Sequence, residues 1–326
     1  MRLARKSVLV TGAAGFIGSH LAEALVAAGA KTRAFVHYNS AGSRGWLEGA
    51  KAQEIEIIAG DICDRDSVFR AVEGVDVVFH LAALIAIPYS YQAPFSYVRT
   101  NVEGTLNVLQ AALATGSERV VHTSTSEVYG TALYAPIDEK HPLQGQSPYA
   151  ASKIGADKMA EAFHLSFDLP VATVRPFNTF GPRQSTRAVI PTIITQCLRG
   201  EVVRLGSLHP TRDFNYVANT VSGFMRVAEA EAAVGRTVNL GSGREVSIGE
   251  LAETVIRLVG NEVEIECEEQ RVRPDKSEVE RLLADGRLAR DLVDWEPPMS
   301  FEEGLERTIE WLREHSKRFR VDEYTV

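Results

Sequence analysis

Cysteine is scarce in this 326-residue chain: there are three, Cys63, Cys197 and Cys267, scattered along it and odd in number. That distribution argues against a disulfide framework, matches no metal-ligand spacing, and points to a reducing cytoplasm. Basic charge is also short, with 35 Lys and Arg against 43 Asp and Glu, a formal charge of −8. Broad nucleic-acid binding needs a basic face, so that class is disfavoured, although a local arginine cluster could still meet a phosphorylated ligand. No apolar run approaches the roughly 18 residues of a membrane helix. The N-terminal Met1-Arg-Leu-Ala-Arg-Lys6 begins like a signal peptide, but the apolar stretch Val8-Leu-Val10 stops at Thr11-Gly12, so no hydrophobic region follows. Internal repeats and low-complexity tracts are missing as well. What is present is ordinary for a globular protein, 45% apolar and 24% charged residues, with length for two lobes or one large α/β domain.

Short β-rich runs alternate with longer amphipathic segments through the first half. Strands are expected at Ser7–Val10, Thr32–His37, Ile55–Ile58, Val75–His80, Arg119–Thr123 and Val171–Arg175, and helices at Phe16–Ala28, Phe95–Thr115 and Tyr149–Phe167. Such alternation implies right-handed βαβ crossovers and a parallel sheet covered on both faces. After Pro176 the loops lengthen. Ser207–Asp213 and Glu268–Ser277 read as loops, and Phe301–His315 as an amphipathic terminal helix. The expected division is a first domain over 1–176 and a mainly ligand-facing α/β lobe over 177–326, partly interleaved with it.

The first strand runs into Thr11-Gly-Ala-Ala-Gly-Phe-Ile-Gly18 and a helix. Gly12, Gly15 and Gly18 allow a tight turn, close backbone approach to a pyrophosphate, and close helix–sheet packing, with the N–H groups at Phe16 and Ile17 at the helix start. The expectation is a nicotinamide dinucleotide on a doubly wound parallel sheet of the Rossmann type. The second strand ends in His37-Tyr-Asn-Ser40 without the carboxylate that usually holds the ribose of NAD, which leans the expectation slightly toward NADP. His37, Ser40 or Arg44 could meet a 2′-phosphate. Asp61 and Ile62 are placed at the adenine edge, with Asp61 as cap of the following helix the competing reading.

Tyr149-Ala-Ala-Ser-Lys153 places a phenol and an ammonium on one helix face. A nearby cation favours phenolate, which makes the tyrosine a base for an alcohol proton. Upstream, Thr123-Ser-Thr-Ser-Glu127 ends the fifth strand, and strand C-termini in open α/β sheets face the ligand crevice.

Together these motifs resemble the extended short-chain dehydrogenase/reductase family, in its nucleotide-sugar epimerase and dehydratase group. The resemblance extends through His80-Leu81-Ala82-Ala83 and Asn101 beside the cofactor, Arg175-Pro-Phe-Asn-Thr-Phe-Gly-Pro-Arg183, Arg212-Asp-Phe-Asn-Tyr-Val217, Asn239-Leu-Gly-Ser-Gly243 and Trp295-Glu-Pro. It implies that Thr125 is the hydroxyl partner of Tyr149, and that Asn178, Arg183, Arg212 and Arg273, with Ile85, contact a sugar nucleotide. One departure is Asn219, where relatives commonly carry Asp.

In that family a carboxylate at the place of Glu127 marks enzymes that remove the C5 proton, and Ser126 stands where the dTDP-glucose type has Asp. The chain therefore resembles a 4,6-dehydratase, a lyase converting an NDP-N-acetylglucosamine, with GDP or UDP as the nucleotide, to the 4-keto-6-deoxy sugar. Several further segments, among them Ala83–Ser90 and His141–Ser147, are similar to the dehydratase of the legionaminic-acid pathway. Thr-Ser-Glu also occurs in UDP-glucuronate decarboxylases, and a C4-epimerase or a non-catalytic dinucleotide sensor remains an alternative. The resemblance further implies a homodimer through the helices at 101–115 and 149–167, whose stripe includes Ile154, Met159 and Phe163. His80 and His122 read as core histidines, and no metal is expected.

Overall fold

The computed structural model describes residues 1–48, 54–200, 202–272 and 274–315. Arg273 falls outside them. The first half contains β1 (Ser7–Thr11), α1 (Phe16–Ala27), β2 (Lys31–His37), β3 (Glu56–Gly60), α2 (Arg65–Val72), β4 (Val77–His80), α3 (Ile87–Gln92), α4 (Pro94–Tyr97), α5 (Gly104–Thr115), β5 (Arg119–Thr123), α6 (Pro148–Phe167) and β6 (Val171–Pro176). The second contains β7 (Asn178–Phe180), α7 (Val189–Arg199), β8 (Val203–Leu205), β9 (Thr211–Tyr216), α8 (Val217–Glu229), β10 (Thr237–Leu240), β11 (Glu245–Ser247), α9 (Ile248–Val259), β12 (Ile265–Cys267), α10 (Arg287–Val293) and α11 (Phe301–His315).

Seven strands form one parallel sheet in the order β10-β6-β5-β4-β1-β2-β3. The buried runs of β1, β4 and β5 explain its place in the molecule: strands apolar on both faces need a helical layer on each side. Helices α2, α5 and α6 pack together on one face, around Val108, Leu109, Ala112 and Phe163. Helices α1 and α8 pack on the other, around Leu21, Leu25, Phe224 and Val227. This is the expected α/β architecture of the Rossmann type. The chain crosses back late, because β10 pairs with β6 in the first-half sheet. Two small sheets, β11-β9-β7 and β12-β8, build the remaining lobe with α7, α9 and α11.

Two elements differ from the expectation. The helix read over Phe95–Thr115 is present without interruption, but a π-helical stretch over Val98–Glu103 joins α4 to α5. The extra residue per turn re-aims the side chains, and Asn101 lies within it. The loop read over Ser207–Asp213 ends in β9, with Arg212 and Asp213 buried. The Asp213 carboxylate stabilises that burial by accepting from the Ser242 N–H at 2.7 Å, the Gly243 N–H at 2.9 Å and the Ala284 N–H at 3.1 Å.

Candidate active site

All seven strands of the central sheet run the same way, so the chain segments after β1, β4, β5 and β6 open at one edge. Four of the sequence-predicted segments meet there. Gly12 leaves β1 at φ +68°, and a Cβ on it would lie 2.9 Å from the Ala82 nitrogen after β4. A Cβ on Gly18 would collide with the Gly12 carbonyl. Gly15 heads α1 with no side-chain cap and no acidic residue in the first turn, so the N–H groups of the first turn remain open to an anion. These residues fit a dinucleotide pyrophosphate. Gly12→Ala is expected to cost about 1–2 kcal/mol for the left-handed backbone alone. It is also expected to weaken NAD(P)H binding, read by urea midpoint and fluorescence titration.

The loop after β2 is more complex than its sequence. His37 is exposed at the strand end, and no carboxylate follows directly. The structure, however, brings Glu48 back, where it accepts from the Ser43 hydroxyl at 2.9 Å and the Arg44 N–H at 3.2 Å. Asp61 does not cap α2. Asp64 does, accepting from the Asp66 N–H, while Asp61 accepts from the Cys63 N–H at 2.9 Å. Its competing reading as a helix cap is thereby removed. Ile62 is buried and packs against Gly104, where an added Cβ would meet its side chain at 2.9 Å.

Below the crevice His80 bridges Thr11 and Thr105, with 2.9 Å to each hydroxyl. The Thr105 hydroxyl donates to the Asn101 carbonyl at 2.6 Å, so His80 Nε2–H donates to Thr105 and Nδ1 accepts from Thr11. Thr11 Oγ1 then accepts from the Leu81 and Ala82 N–H groups at 3.1 and 3.0 Å. Burial holds His80 neutral, well below its usual titration range. His80 therefore shapes the Leu81–Ala83 backbone from within the core. Asn101 accepts from the Leu84 N–H at 2.8 Å and donates to the Ser152 hydroxyl at 2.9 Å, joining that strand end to α6.

The catalytic candidates converge after β5. Helix α6 starts where Ser147 accepts from the Ala150 N–H and Pro148 fixes the first turn. One helical turn apart, Tyr149 and Lys153 are both buried. Lys153 Nζ donates to the Thr123 carbonyl at 2.6 Å. Burial brings the Lys153 ammonium down to about 8, and the Asp157 charge resists that shift. Burial also pushes the Tyr149 phenol far upward, the Thr125 hydroxyl opposes this by hydrogen bonding, and the Glu127 charge adds to it. The Thr125 hydroxyl is thus the phenol's hydrogen-bonding neighbour, and the Glu127 charge is near enough to be felt by it. Thr125 Oγ1 accepts from the Glu127 N–H at 3.3 Å and starts the short turn Ser126–Tyr129. Ser126 is buried in that turn and Glu127 is half-buried.

The nucleotide-sugar candidates lie around the same edge and in the second lobe. Ile85 is 68% exposed after β4. Asn178 opens β7, and its side-chain nitrogen is buried without a protein partner, a donor suited to a ligand oxygen. Arg183 pairs with Glu23 of α1 at 2.9 Å, leaving its Nη1 buried and unpartnered. Arg212 is held by Glu278 at 3.0 Å and by the Thr211 carbonyl at 2.9 Å. Asn219 uses its whole amide, donating to the Met299 carbonyl at 2.8 Å and accepting from the Met299 N–H at 3.0 Å. Asparagine thus serves this position fully. The residue that motif reading missed is Asp157, a second four-residue step beyond Lys153 on the same helix face. Its i+4 spacing from Lys153 was the available signal. No group of His, Cys, Asp and Glu among the described residues could hold a metal ion, and no helix among them is long and apolar enough to cross a membrane.

Comparison with known proteins agrees with this geometry. The sequence profile of the GDP-mannose 4,6 dehydratase family matches residues 9–308. The chain is 32% identical to the UDP-glucose 4-epimerase of Mycolicibacterium smegmatis, over 95% of this chain and 99% of that one. It is 34% identical to the UDP-N-acetyl-alpha-D-glucosaminuronate decarboxylase of Bacillus cytotoxicus, over 95% and 98%. Among solved structures it resembles DesIV, the dTDP-glucose 4,6-dehydratase of Streptomyces venezuelae with NAD bound, with TM-score 0.87, 32% identity and coverage of 96% and 99%.

Proposed function

Given that this chain belongs to the GDP-mannose 4,6-dehydratase family of extended short-chain dehydrogenases, we propose that it is a nucleotide-sugar 4,6-dehydratase acting on a GDP- or UDP-linked N-acetylglucosamine. The observation that carries this reading is the half-buried Glu127 carboxylate in the turn that Thr125 starts after β5, where its charge acts on the Tyr149 phenol and offers a second base to the Thr125, Tyr149 and Lys153 set. The relatives alone do not choose, since they include an epimerase, a decarboxylase and a dehydratase.

When bound, a nicotinamide dinucleotide would supply a hydride acceptor for C4 and a hydride donor for C6. Tyr149, supported by the Lys153 ammonium, takes the proton of the sugar 4-hydroxyl. The resulting 4-keto group acidifies C5–H, and Glu127 takes that proton. Glu127 then gives that proton to the 6-hydroxyl, which departs as water, with buried Ser126 placed to share the hydrogen bond; C5 is protonated again from solvent as C6 gains its hydride, and Tyr149 releases the 4-hydroxyl proton to solvent. Asn178, Arg183, Arg212 and Arg273 are assigned to the nucleotide diphosphate and Ile85 to the sugar side of the crevice, so the lobe over 177–326 carries most of the nucleotide-sugar contacts. Charge-assisted bonds from Arg212 require it to share or leave Glu278. Glycines 12, 15 and 18, Phe16, Ile17, His37, Asp61, Ile62, Leu81, Ala82, Ala83 and Asn101 are assigned to the dinucleotide.

Incubation with GDP- and UDP-N-acetylglucosamine, UDP-glucuronate and UDP-glucose, followed by mass spectrometry, tests the reading. Loss of water from an N-acetylglucosamine nucleotide is expected. Loss of carbon dioxide means a decarboxylase, and an isomer of unchanged mass means an epimerase. Dinucleotide released on denaturation identifies the cofactor. NADP would support the reading of the carboxylate-free end of β2, and NAD alone would reverse that preference and leave the fold intact.

A homodimer through α5 and α6 is part of the same proposal. The stripe named from sequence is partly spent inside the chain: Phe163 is in the core and Met159 packs against it. Still uncovered are Leu165 and Phe167 at the end of α6, at 73% and 54% exposure, and Phe95 of α4 and Val98 of the π-helical stretch leading into α5, at 72% and 53%. Light scattering at micromolar concentration is expected to give twice the 35.7 kDa chain mass, and a monomer would contradict the dimer.

A further inference from the structure

Tyr149, Lys153 and Asp157 follow one another at four-residue steps along α6, and so share a face. The first two have roles in the reaction proposed above, while Asp157 has none. It is 5% exposed, yet its carboxylate is fully engaged. Oδ1 accepts from His122 Nε2–H at 3.0 Å. Oδ2 accepts from the Ser124 hydroxyl at 2.7 Å and from Arg175 Nη2 and Nε at 2.9 and 3.3 Å. Between His122 and Ser124 stands Thr123, whose carbonyl receives the Lys153 ammonium. One short strand end therefore grips both Lys153 and Asp157. Arg175 continues the chain, donating to the Tyr129 hydroxyl at 3.0 Å and lying 4.9 Å over the Tyr129 ring. Tyr129 closes the turn that presents Glu127.

We propose that Asp157 is a positioning residue, which locks the Tyr149–Lys153 face of α6 to the ends of β5 and β6 and supplies the counter-charge that keeps Lys153 an ammonium. The proposal rests on the reading of Tyr149 and Lys153 as the catalytic pair. A buried ion pair such as Asp157–Arg175 adds little net stability over apolar packing, so its presence here is better explained by what it does for its neighbours. The other groups around the pair do not replace it. His80 on β4 and His122 on β5 are held below their usual range by burial. Arg175 on β6 already faces Asp157 and Tyr129, and Tyr97 of α4 meets the Tyr149 ring edge-on. Glu127 acts on the Tyr149 side. Asp157 is the carboxylate whose charge supports Lys153, against the burial that lowers it to about 8.

The test follows the Lys153 titration directly, in the purified chain without substrate, by nuclear magnetic resonance of lysine labelled with carbon-13 at Cε. Lys153→Arg assigns the signal, and thermal midpoints confirm folding. Asp157→Asn is expected to lower the titration by about one unit or more, and Asp157→Glu to keep it near the parent. Arg175→Gln is expected to raise it, because the carboxylate then acts without its compensating cation. A purely structural role predicts no such opposite shifts. The proposal is overturned if Asp157→Asn leaves the titration in place, or if both variants move it the same way. Should one variant fail to fold, the sign of the other still decides. An unmoved Lys153 titration in Asp157→Asn overturns the proposal and leaves the Tyr149–Lys153 assignment standing. Full turnover in Tyr149→Phe would remove that assignment without touching the titration result.

Discussion

Tyr149→Phe is expected to lower product formation by about 10⁴-fold, near the upper end for loss of a positioned acid–base group. The ring remains, so the packing against Tyr97 is retained and the thermal midpoint should move little. Without the hydroxyl nothing takes the proton from the 4-hydroxyl, and the first oxidation stops. No transient nicotinamide absorbance is then expected when the sugar nucleotide is mixed with the loaded protein. A normal transient would show that another group begins the reaction.

Glu127→Gln should fail later. The amide keeps the shape of the side chain and the turn that Thr125 starts, since the Glu127 backbone N–H makes that bond. Tyr149, Lys153 and Thr125 remain, so C4 oxidation proceeds and reduced nicotinamide accumulates as a visible transient. A neutral amide cannot take the C5 proton, and product formation should fall by roughly 10²–10⁴-fold. Removing the charge also relieves one upward influence on the Tyr149 phenol, so oxidation should extend to somewhat lower pH. The two variants thus separate the steps: one silent from the start, the other stalled with the cofactor reduced. Wild-type rates in Glu127→Gln would mean that this carboxylate is not the C5 base.

Much of this was legible in the sequence because the information is local. A strand, three glycines and a helix occupy one short stretch, and Gly12 at φ +68° shows why only glycine suits the turn. The Tyr149–Lys153 spacing is local in the same way, since a helix converts it into one shared face. What escaped depends on partners distant in the chain. Asp157 acquires its role from His122, Ser124 and Arg175, which only the pairing of β5 with β6 brings together. Arg212 lies in a polar stretch that reads as loop, and becomes buried strand because β11 pairs with β9 and Glu278 meets its charge. The π-helical stretch at Val98–Glu103 also carries a distant contact: within it Asn101 bonds the backbone of Leu84, which lies after β4. Glu48 is the local exception, reaching back four and five residues to Arg44 and Ser43 across the short turn Gly45–Leu47.

The central claim, a dehydratase built on Tyr149 and Glu127, is tested most directly by turnover in heavy water. The purified protein is incubated with GDP- or UDP-N-acetylglucosamine in D₂O, and the product is weighed and its deuterium located by nuclear magnetic resonance. If Glu127 removes the C5 proton and C6 receives hydride from the cofactor, the product is lighter by one water and carries a single deuterium, at C5. A product of unchanged mass inverted at C4, or the loss of water with no deuterium at C5, would contradict the account.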